Sequence, residues 1–500
     1  MDSSSQIKTG AILSYISIGI NVLSGLIYTP WMIHSIGKED YGLFTLALSV
    51  ISLFVFDFGL SSAVTRFVSN YLAENRQDKV NNCLGLVYRL YFIIDIFLFL
   101  LLSGVYLFIP GIYKELTPEE IEKFKVIYIM AASFSVVSLP FIPVNGILTA
   151  NEKFTQIKLC DILHKVLVVS TMTIVLLLGY GLYTLVMVNI WSGLIAFVAK
   201  SWCVFKYTKT TINISYFNKN ELKELLGFSG WATIISLCKR LIFTISPTIL
   251  GFFCGSASIA VFGIANAIEG YVFYFADAIS GMFLPRVSRV LIKENGSILP
   301  LMIKVGRIQL FIVSAIIIGF ICIGNDFINL WVGEQFNDCY ICIILLIIPS
   351  FFQLPQEVGT QAIIVQNKVK EQAMVFIVMG LINILLGIFL TWQFGVLGMC
   401  VSVSISFFLR TIGLDLIFYK ILKIDIFSFF RKTFGNIGVS LIFSLIIGVG
   451  MNHFIISTNW LIFLVKVSLF IAIFCICSSF ALNDYEKDLF KRIICLKKSK

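Results

Sequence analysis

Charged residues are scarce in this sequence. Asp, Glu, Lys and Arg together make up 13% of its 500 residues, hydrophobic residues make up 58%, and the mean hydropathy is +0.94. A soluble globular domain carries roughly 25% charged residues, and the composition therefore excludes one. Apolar runs near the ~20 residues that a helix needs to cross a bilayer recur along the whole chain. The composition predicts an all-α polytopic membrane protein.

The sequence also lacks the motifs and long loops of several enzyme classes. No Gly-x4-Gly-Lys-Ser/Thr loop is present, which argues against direct use of ATP. No connection between apolar runs has room for a soluble catalytic domain, and we expect no enzyme activity. The 12 cysteines lie mostly in apolar runs, and the close pairs Cys339-x-x-Cys342 and Cys475-x-Cys477 have no His or acidic cluster beside them. They are typical of buried packing cysteines, and neither a metal nor a cofactor is expected.

Fourteen apolar runs are read as membrane helices. Their approximate limits are 11–33, 43–66, 86–108, 125–148, 160–178, 182–203, 227–253, 257–285, 306–325, 340–364, 373–392, 395–418, 434–452 and 460–481. The segment from Met1 to Lys8 lacks the cationic leader of a signal peptide, and so we expect the first run to remain as a membrane helix.

Basic residues alternate between the connections of these helices. With a cytoplasmic N-terminus, the cytoplasmic connections carry most of the Lys and Arg, and the opposite side carries only Lys38, Lys114, Lys123 and Lys125. Positive charge marks the cytoplasmic side of short loops, and both termini are therefore predicted to be cytoplasmic. This topology explains the net charge of +10, and no nucleic-acid partner is expected.

One short pattern occurs twice. The segment from Asp57 to Arg66 repeats as Asp277 to Arg286, with the acidic and basic residues at the same separation and an apolar run before each. An even number of helices per repeat gives both copies the same orientation. The repeat predicts two six-helix lobes related by a pseudo-two-fold axis along the membrane normal. The predicted division is an N-terminal lobe at 1–205, a solvated cytoplasmic connector at 206–226, a C-terminal lobe at 227–420, and two additional helices with a basic cytoplasmic tail at 421–500.

Proline interrupts corresponding helices of the two halves. The paired positions are Pro30 and Pro247 in the first and seventh helices, and Pro140 with Pro143 and Pro349 with Pro355 in the fourth and tenth. Broken helices occur along transporter pathways, where a cavity or neighbouring protein satisfies the freed carbonyls. All six are therefore hinge candidates, although proline is also commoner in membrane helices than in soluble ones.

Charges near the middle of the seventh and eighth helices are the strongest candidates for contact with a substrate. Lys239 and Arg240 lie on the seventh helix, too deep for either side chain to reach an interface easily, and Glu269 lies at similar depth on the eighth. One interpretation is a structural ion pair. In the other, one cation pairs with Glu269 while its neighbour faces a central cavity and binds an anionic group such as a diphosphate.

Three further residues are candidates for a cavity or for ion coupling. Asp57 and Asp277 each lie near the end of an apolar run, where they either face a cavity or mark the cytoplasmic end of a helix. His164 is placed to change charge near a helix end, although a lone histidine is more often a satisfied polar residue. Proton coupling through these residues is left open.

The segment from Gly37 to Gly42, followed by that from Asp57 to Arg66, resembles the N-terminal signature of Wzx-type polysaccharide flippases. These belong to the multidrug/oligosaccharidyl-lipid/polysaccharide exporter superfamily, and the helix number and the six plus six plus two arrangement extend the resemblance over the whole chain. It implies a MATE-like, V-shaped fold of two lobes around a central cationic cavity, which Lys239 and Arg240 fit.

The resemblance also implies a function. Such proteins translocate undecaprenyl-diphosphate-linked oligosaccharide repeat units across the bacterial cytoplasmic membrane by alternating access, in pathways such as those of O-antigen and capsule. The implied partners are the lipid-linked oligosaccharide, membrane lipids, a polysaccharide polymerase and a chain-length regulator.

Other functions stay open at this point. A cation-coupled multidrug antiporter of the same superfamily would need a carboxylate pocket, for which Asp57, Asp277 and Glu269 are available. Lipid II flippases and spore-wall homologues are further alternatives. A membrane polymerase or glycosyltransferase is disfavoured because large external loops are missing.

Overall fold

The computed structural model of the chain describes residues 3–54, 59–208, 210–280, 287, 289–293, 296–366, 368–483 and 486–487. Side chains are described for most of these residues, but not for 3–16, 275–280 and several shorter stretches and single positions, which include Lys239. Helices are the only regular secondary structure within these ranges. Because a chain in a bilayer must satisfy its backbone polar groups internally, apolar runs of this length fold as helices.

Eighteen α-helical runs are found in the described part of the chain. They are α1 (Ser3–Ile36), α2 (Lys38–Phe54), α3 (Leu60–Ala73), α4 (Gln77–Ile112), α5 (Pro118–Ser138), α6 (Pro143–Ala150), α7 (Phe154–Leu177), α8 (Leu182–Tyr207), α9 (Lys219–Phe243), α10 (Ser246–Phe253), α11 (Gly255–Ser280), α12 (Leu299–Trp331), α13 (Asn337–Ile347), α14 (Ser350–Gln353), α15 (Glu357–Val365), α16 (Val369–Lys420), α17 (Ile426–Phe454) and α18 (Trp460–Ser479).

The predicted fold class is confirmed. Eleven helical segments of the described residues are long and apolar enough to cross a membrane. Large apolar side chains on many of these helices are exposed, as expected for surfaces that face lipid. The predicted count of fourteen spans stays a prediction.

The predicted fourth and tenth helices are each broken at their two prolines. A 3-10 turn that contains Pro140 separates α5 from α6, and Pro143 begins α6. In the tenth, Pro349 directly precedes α14, and Pro355 lies in the 3-10 turn that follows it. Proline lacks the N–H that an α-helix needs and collides with the preceding turn, which explains the breaks. Their role as hinges stays a prediction.

The first and seventh helices differ in their response to proline. The predicted seventh helix is broken, because α9 ends at Phe243 and Pro247 lies at the start of α10. Pro30, in contrast, lies inside the continuous helix α1. Both helices therefore contain a proline at corresponding positions, but only the seventh is broken there.

Two glycines mark changes of direction. The single helix predicted at 43–66 is interrupted at Gly59, which has a φ of 66° and precedes α3, and α3 continues to Ala73. Gly395 has φ 60° and ψ −138° inside α16, so that this run is two helices joined by a tight turn, as predicted from the eleventh and twelfth apolar runs. A backbone with this φ favours glycine because it has no Cβ.

The helices form two compact units. One contains Met1–Gly263 together with Phe376–Met399, and the other contains Ile264–Val375 together with Cys400–Lys500. Within the first unit, α1 and α8 pack against α7, and α2 packs against α5. This division of contacts follows a different line from the predicted lobes, whose boundaries stay a prediction.

The two additional helices belong to the core of the second unit. Both α17 and α18 pack against α12 around a cluster that includes Phe463 and Phe470. The buried Lys466 ammonium donates to Asp326 Oδ2 at 2.6 Å and to Asn452 Oδ1, and so joins α18 to α12 and α17. A lysine buried in a membrane helix is stable only with such partners.

Most described residues of the predicted connector are exposed, and the connector is docked on α4. Its contact with solvent stays a prediction. The Asn213 N–H donates to the Asn81 carbonyl at 3.1 Å, and the Thr211 N–H donates to Asn81 Oδ1 at 3.0 Å. A Cβ on Gly85 would lie 1.8 Å from the Asn213 carbonyl oxygen. Glycine at position 85 therefore lets the connector backbone approach the helix.

Candidate functional site

A cavity of about 430 Å³ lies among the helices of the first unit. Residues of α2, α5, α7, α8 and α9 line it, and most of its wall is apolar. Its ionisable lining residues, here called the cavity cluster, are Asp161, His164, Lys200 and Arg240. Neutral polar side chains, which include Asn189, lie between them.

An ion pair between two helices dominates the cavity cluster. Lys200 Nζ on α8 lies 2.8 Å from Asp161 Oδ1 on α7. Lys158, one turn before Asp161 on α7, places its Nζ 3.8 Å from the other carboxylate oxygen. The Lys200 side chain is 12% exposed, whereas that of Asp161 is 34% exposed. Asp161 is therefore shared between a sheltered cation of the cavity and a more exposed one beside it.

Arg240 enters the cavity from α9. Its guanidinium donates through Nη1 to the carbonyl oxygen of Ser52 on α2. A hydrogen bond from a charged donor is stronger than one between neutral groups. Arg240 thus joins α9 to α2 and adds positive charge to the cavity at the same time.

The charges of the cavity cluster do not cancel. Lys200 and Arg240 are cations, and Asp161 is the carboxylate among the described side chains that line the cavity. With His164 neutral, one positive charge is in surplus. Arginine and lysine in a sheltered, partly apolar site form strong charge-assisted hydrogen bonds with phosphate and carboxylate oxygens. The arrangement therefore suits an anion better than a cation.

The residues predicted from the sequence have different placements. His164 and Arg240 line the cavity together. The backbone of Lys239 lies in α9 and that of Asp277 in α11, but neither side chain is among those described. Asp57 lies outside the described residues. Their roles stay predictions.

Glu269 belongs to a second charged group, which lies in the other unit. Its carboxylate on α11 interacts electrostatically with Arg410 on α16, and Arg410 also interacts with Glu357 at the start of α15. Each of the three residues is less than 10% exposed. These three residues, here called the buried acidic cluster, bring two acidic side chains together with one guanidinium.

Lys200 is the main residue of the cavity that was not predicted. It lies within the sixth apolar run, near the C-terminal end, where a lone lysine is typical of an end anchor that extends to the interface. Its position on the face toward Asp161 depends on how α7 and α8 pack. The available signal was the occurrence of charges in consecutive apolar runs, with Asp161 and Lys165 in the fifth and Lys200 in the sixth.

An apolar groove lies in the second unit. It has a volume of about 790 Å³ between α12 and α18 and is lined mainly by aliphatic and aromatic side chains, such as Phe320, Ile323 and Phe474. Such a surface fits hydrocarbon and offers almost no polar partner to a charged group.

Comparisons with known proteins agree with the fold. The family model described as polysaccharide biosynthesis protein matches residues 7–292. A putative O-antigen transporter of Escherichia coli strain K12 is 22% identical over 400 residues, which cover 77% of this chain and 90% of that protein.

Two solved structures share the architecture. The lipid II flippase MurJ in an inward closed conformation superposes with a TM-score of 0.71 at 14% identity, over 97% of this chain and 99% of its own. An inward-facing multidrug resistance MATE family transporter of the MOP superfamily gives a TM-score of 0.63 at 13% identity, over 82% and 96%. At these identities, the likeness concerns the fold alone.

Proposed function

The chain belongs to the polysaccharide biosynthesis protein family, and from this premise we propose that it is a flippase for undecaprenyl-diphosphate-linked oligosaccharide repeat units. It moves them across the bacterial cytoplasmic membrane by alternating access, with both of its termini in the cytoplasm. It acts without a cofactor and is not an enzyme. A polysaccharide polymerase and a chain-length regulator act on the same substrate beside it.

The observation that carries this proposal is the positive surplus of the cavity cluster. A sugar diphosphate must leave water to cross a bilayer, and it needs cations that replace part of its hydration. Lys200 and Arg240 offer such cations in a cavity with polar side chains between them. The name of the Escherichia coli relative, a putative O-antigen transporter, supports a lipid-linked glycan as the substrate.

The apolar groove supports the proposal that the substrate carries a lipid tail. An isoprenoid tail can stay in hydrocarbon during translocation, and the groove between α12 and α18 offers a wall of matching polarity. The head group and the tail would then contact surfaces of different chemistry within one protein.

A cation-coupled multidrug antiporter is the second candidate, and the buried acidic cluster is the observation that favours it. Glu269 and Glu357 are two acidic side chains in buried surroundings, and buried carboxyl groups take up a proton more readily than exposed ones. The same cluster is equally suited to the coupling ion of a flippase. The cationic cavity favours the flippase, because it would repel cationic drug substrates.

Genetic complementation separates the two candidates. The gene is expressed in a bacterial strain that lacks its own polysaccharide flippase, and surface glycan and drug efflux are both measured. We expect restored glycan without increased drug resistance. Drug efflux without restored glycan would contradict the flippase proposal.

A double variant tests the seventh-helix charges in the same strain. Lys239→Ala with Arg240→Ala is expected to lower surface glycan at least about tenfold, because the loss of one charged hydrogen bond costs about 1.5–3 kcal/mol. Arg431→Ala with Lys432→Ala removes an adjacent basic pair that is exposed, and serves as the matched control. Normal glycan from a well-inserted Lys239/Arg240 double variant would exclude these residues from the site.

A further inference from the structure

Lys200, whose ammonium an anionic substrate would need, is already paired with Asp161. Lys200 Nζ lies 2.8 Å from the Asp161 carboxylate, and both side chains line the cavity. A sheltered ammonium without a partner is costly in apolar surroundings, so that a carboxylate beside it stabilises the empty cavity. The ion pair therefore lowers the affinity for an anionic substrate, because a phosphate must compete with Asp161 for Lys200.

The geometry supplies a second partner for Asp161. Lys158 Nζ already lies 3.8 Å from Asp161 Oδ2, three residues earlier on the same helix. Its side chain is 36% exposed, and a small rotation of either side chain would shorten this contact. The Asp161 side chain is also 34% exposed, and its carboxylate therefore stays partly exposed when it turns away from Lys200.

We propose that Asp161 is a built-in counter-ion, which holds Lys200 in the empty cavity, yields it to a substrate phosphate and then pairs with Lys158. When the substrate leaves, Asp161 returns to Lys200. The exchange keeps the number of ion pairs nearly constant, so that no bare cation is left at either stage. In this exchange the carboxylate of Asp161 has a function of its own, in addition to that of the cations.

The exchange matters because a transporter must also release its cargo. A cavity with unopposed cations would bind a diphosphate tightly and hold it, whereas an internal competitor limits the affinity and speeds release. This inference rests on the proposed function, since it needs a substrate that carries phosphate.

Binding of a short isoprenoid diphosphate tests the exchange. The full-length protein is placed in nanodiscs of phosphatidylcholine, and its affinity is measured for geranylgeranyl diphosphate, with geranylgeraniol as the uncharged control. We expect Asp161→Asn to lower the Kd about tenfold and Lys200→Gln to raise it about tenfold. Asp40→Asn, which breaks the 3.3 Å pair with Lys123 outside the cavity lining, is the matched control and should not change the Kd.

The double variant shows whether Asp161 acts through Lys200. In the Lys200→Gln background, Asp161→Asn should tighten binding less than about twofold, because there is no longer a cation to release. Equal tightening in both backgrounds would overturn the exchange and leave only long-range repulsion. Unchanged or weaker binding by Asp161→Asn alone would overturn it as well.

A second variant covers the case in which Asp161→Asn does not fold. Lys158→Gln removes the alternative partner of Asp161, so that Asp161 stays on Lys200, and it should raise the Kd about threefold. An unchanged Kd in Lys158→Gln would overturn the role given to Lys158. Failure of the wild-type protein to distinguish the diphosphate from the alcohol would instead overturn the proposed function itself.

Discussion

The cavity cluster of the first unit and the buried acidic cluster of the second differ in composition and in exposure. The cavity cluster has two cations beside one carboxylate, and Asp161 within it is 34% exposed. The acidic cluster has two acidic side chains beside one guanidinium, and all of its members are less than 10% exposed. Each unit thus contains charges inside its helices, but those of the cavity cluster line open space, whereas those of the acidic cluster are enclosed.

This difference determines what each cluster is able to do. A partly exposed ion pair exchanges partners at a cost of about 1 kcal/mol or less. Removing one partner from a buried ion pair costs about 3–5 kcal/mol, so that the members of the acidic cluster do not exchange partners easily. The cavity is therefore suited to a substrate that enters and leaves, and the acidic cluster to structure or to a coupling ion.

The largest effect is expected from Arg410→Gln. The change leaves Glu269 and Glu357 buried without their guanidinium, and it should lower the free energy of unfolding by about 3–5 kcal/mol. Thermal unfolding of the purified protein in detergent measures the loss. Adding Glu357→Gln should restore part of it, since one carboxylate fewer remains.

An unchanged melting temperature in Arg410→Gln would break the comparison. It would mean that water or an ion already compensates the carboxylates, and that the second cluster resembles the cavity. A lower melting temperature that Glu357→Gln does not improve would instead point to lost packing by the arginine.

Substitution of Arg240 is expected to have an intermediate effect, mainly on transport. Arg240→Gln removes a cavity cation and should lower surface glycan about tenfold, while Arg240→Lys keeps the charge and should retain most of it. Both variants lose the planar guanidinium at the Ser52 carbonyl, and both should lose about 1 kcal/mol of stability. Equal transport defects in the two variants would limit the role of Arg240 to its contact with Ser52.

The sequence predicts the pattern of helices better than it predicts the charged clusters. Apolar runs and prolines act locally, and the breaks near Pro143, Pro247 and Pro355 follow from the lost N–H. The break before α3 was missed, because a glycine inside an apolar run is compatible with a helix until its positive φ is known.

The partners of the charged residues depend on contacts between distant helices. Arg410, 141 positions later in the chain, interacts electrostatically with Glu269, and its part in this cluster was not predicted. The pairing of Glu269 with a cation of the seventh helix stays a prediction. Lys200 was not predicted because its direction depends on the packing of α7 against α8. Spacing along one helix does not contain this information.

The smallest effect is expected on the stability of Lys200→Gln. Asp161 keeps Lys158 as a partner and stays partly exposed, so that the free energy of unfolding should fall by less than about 1 kcal/mol. Thermal unfolding beside Arg410→Gln in the same detergent checks this. A loss as large as that of Arg410→Gln would show that the cavity pair is structural, and the contrast between the two clusters would no longer hold. A small loss with strongly weakened diphosphate binding would separate the two roles, because the same ion pair would then matter for the ligand and hardly for the fold.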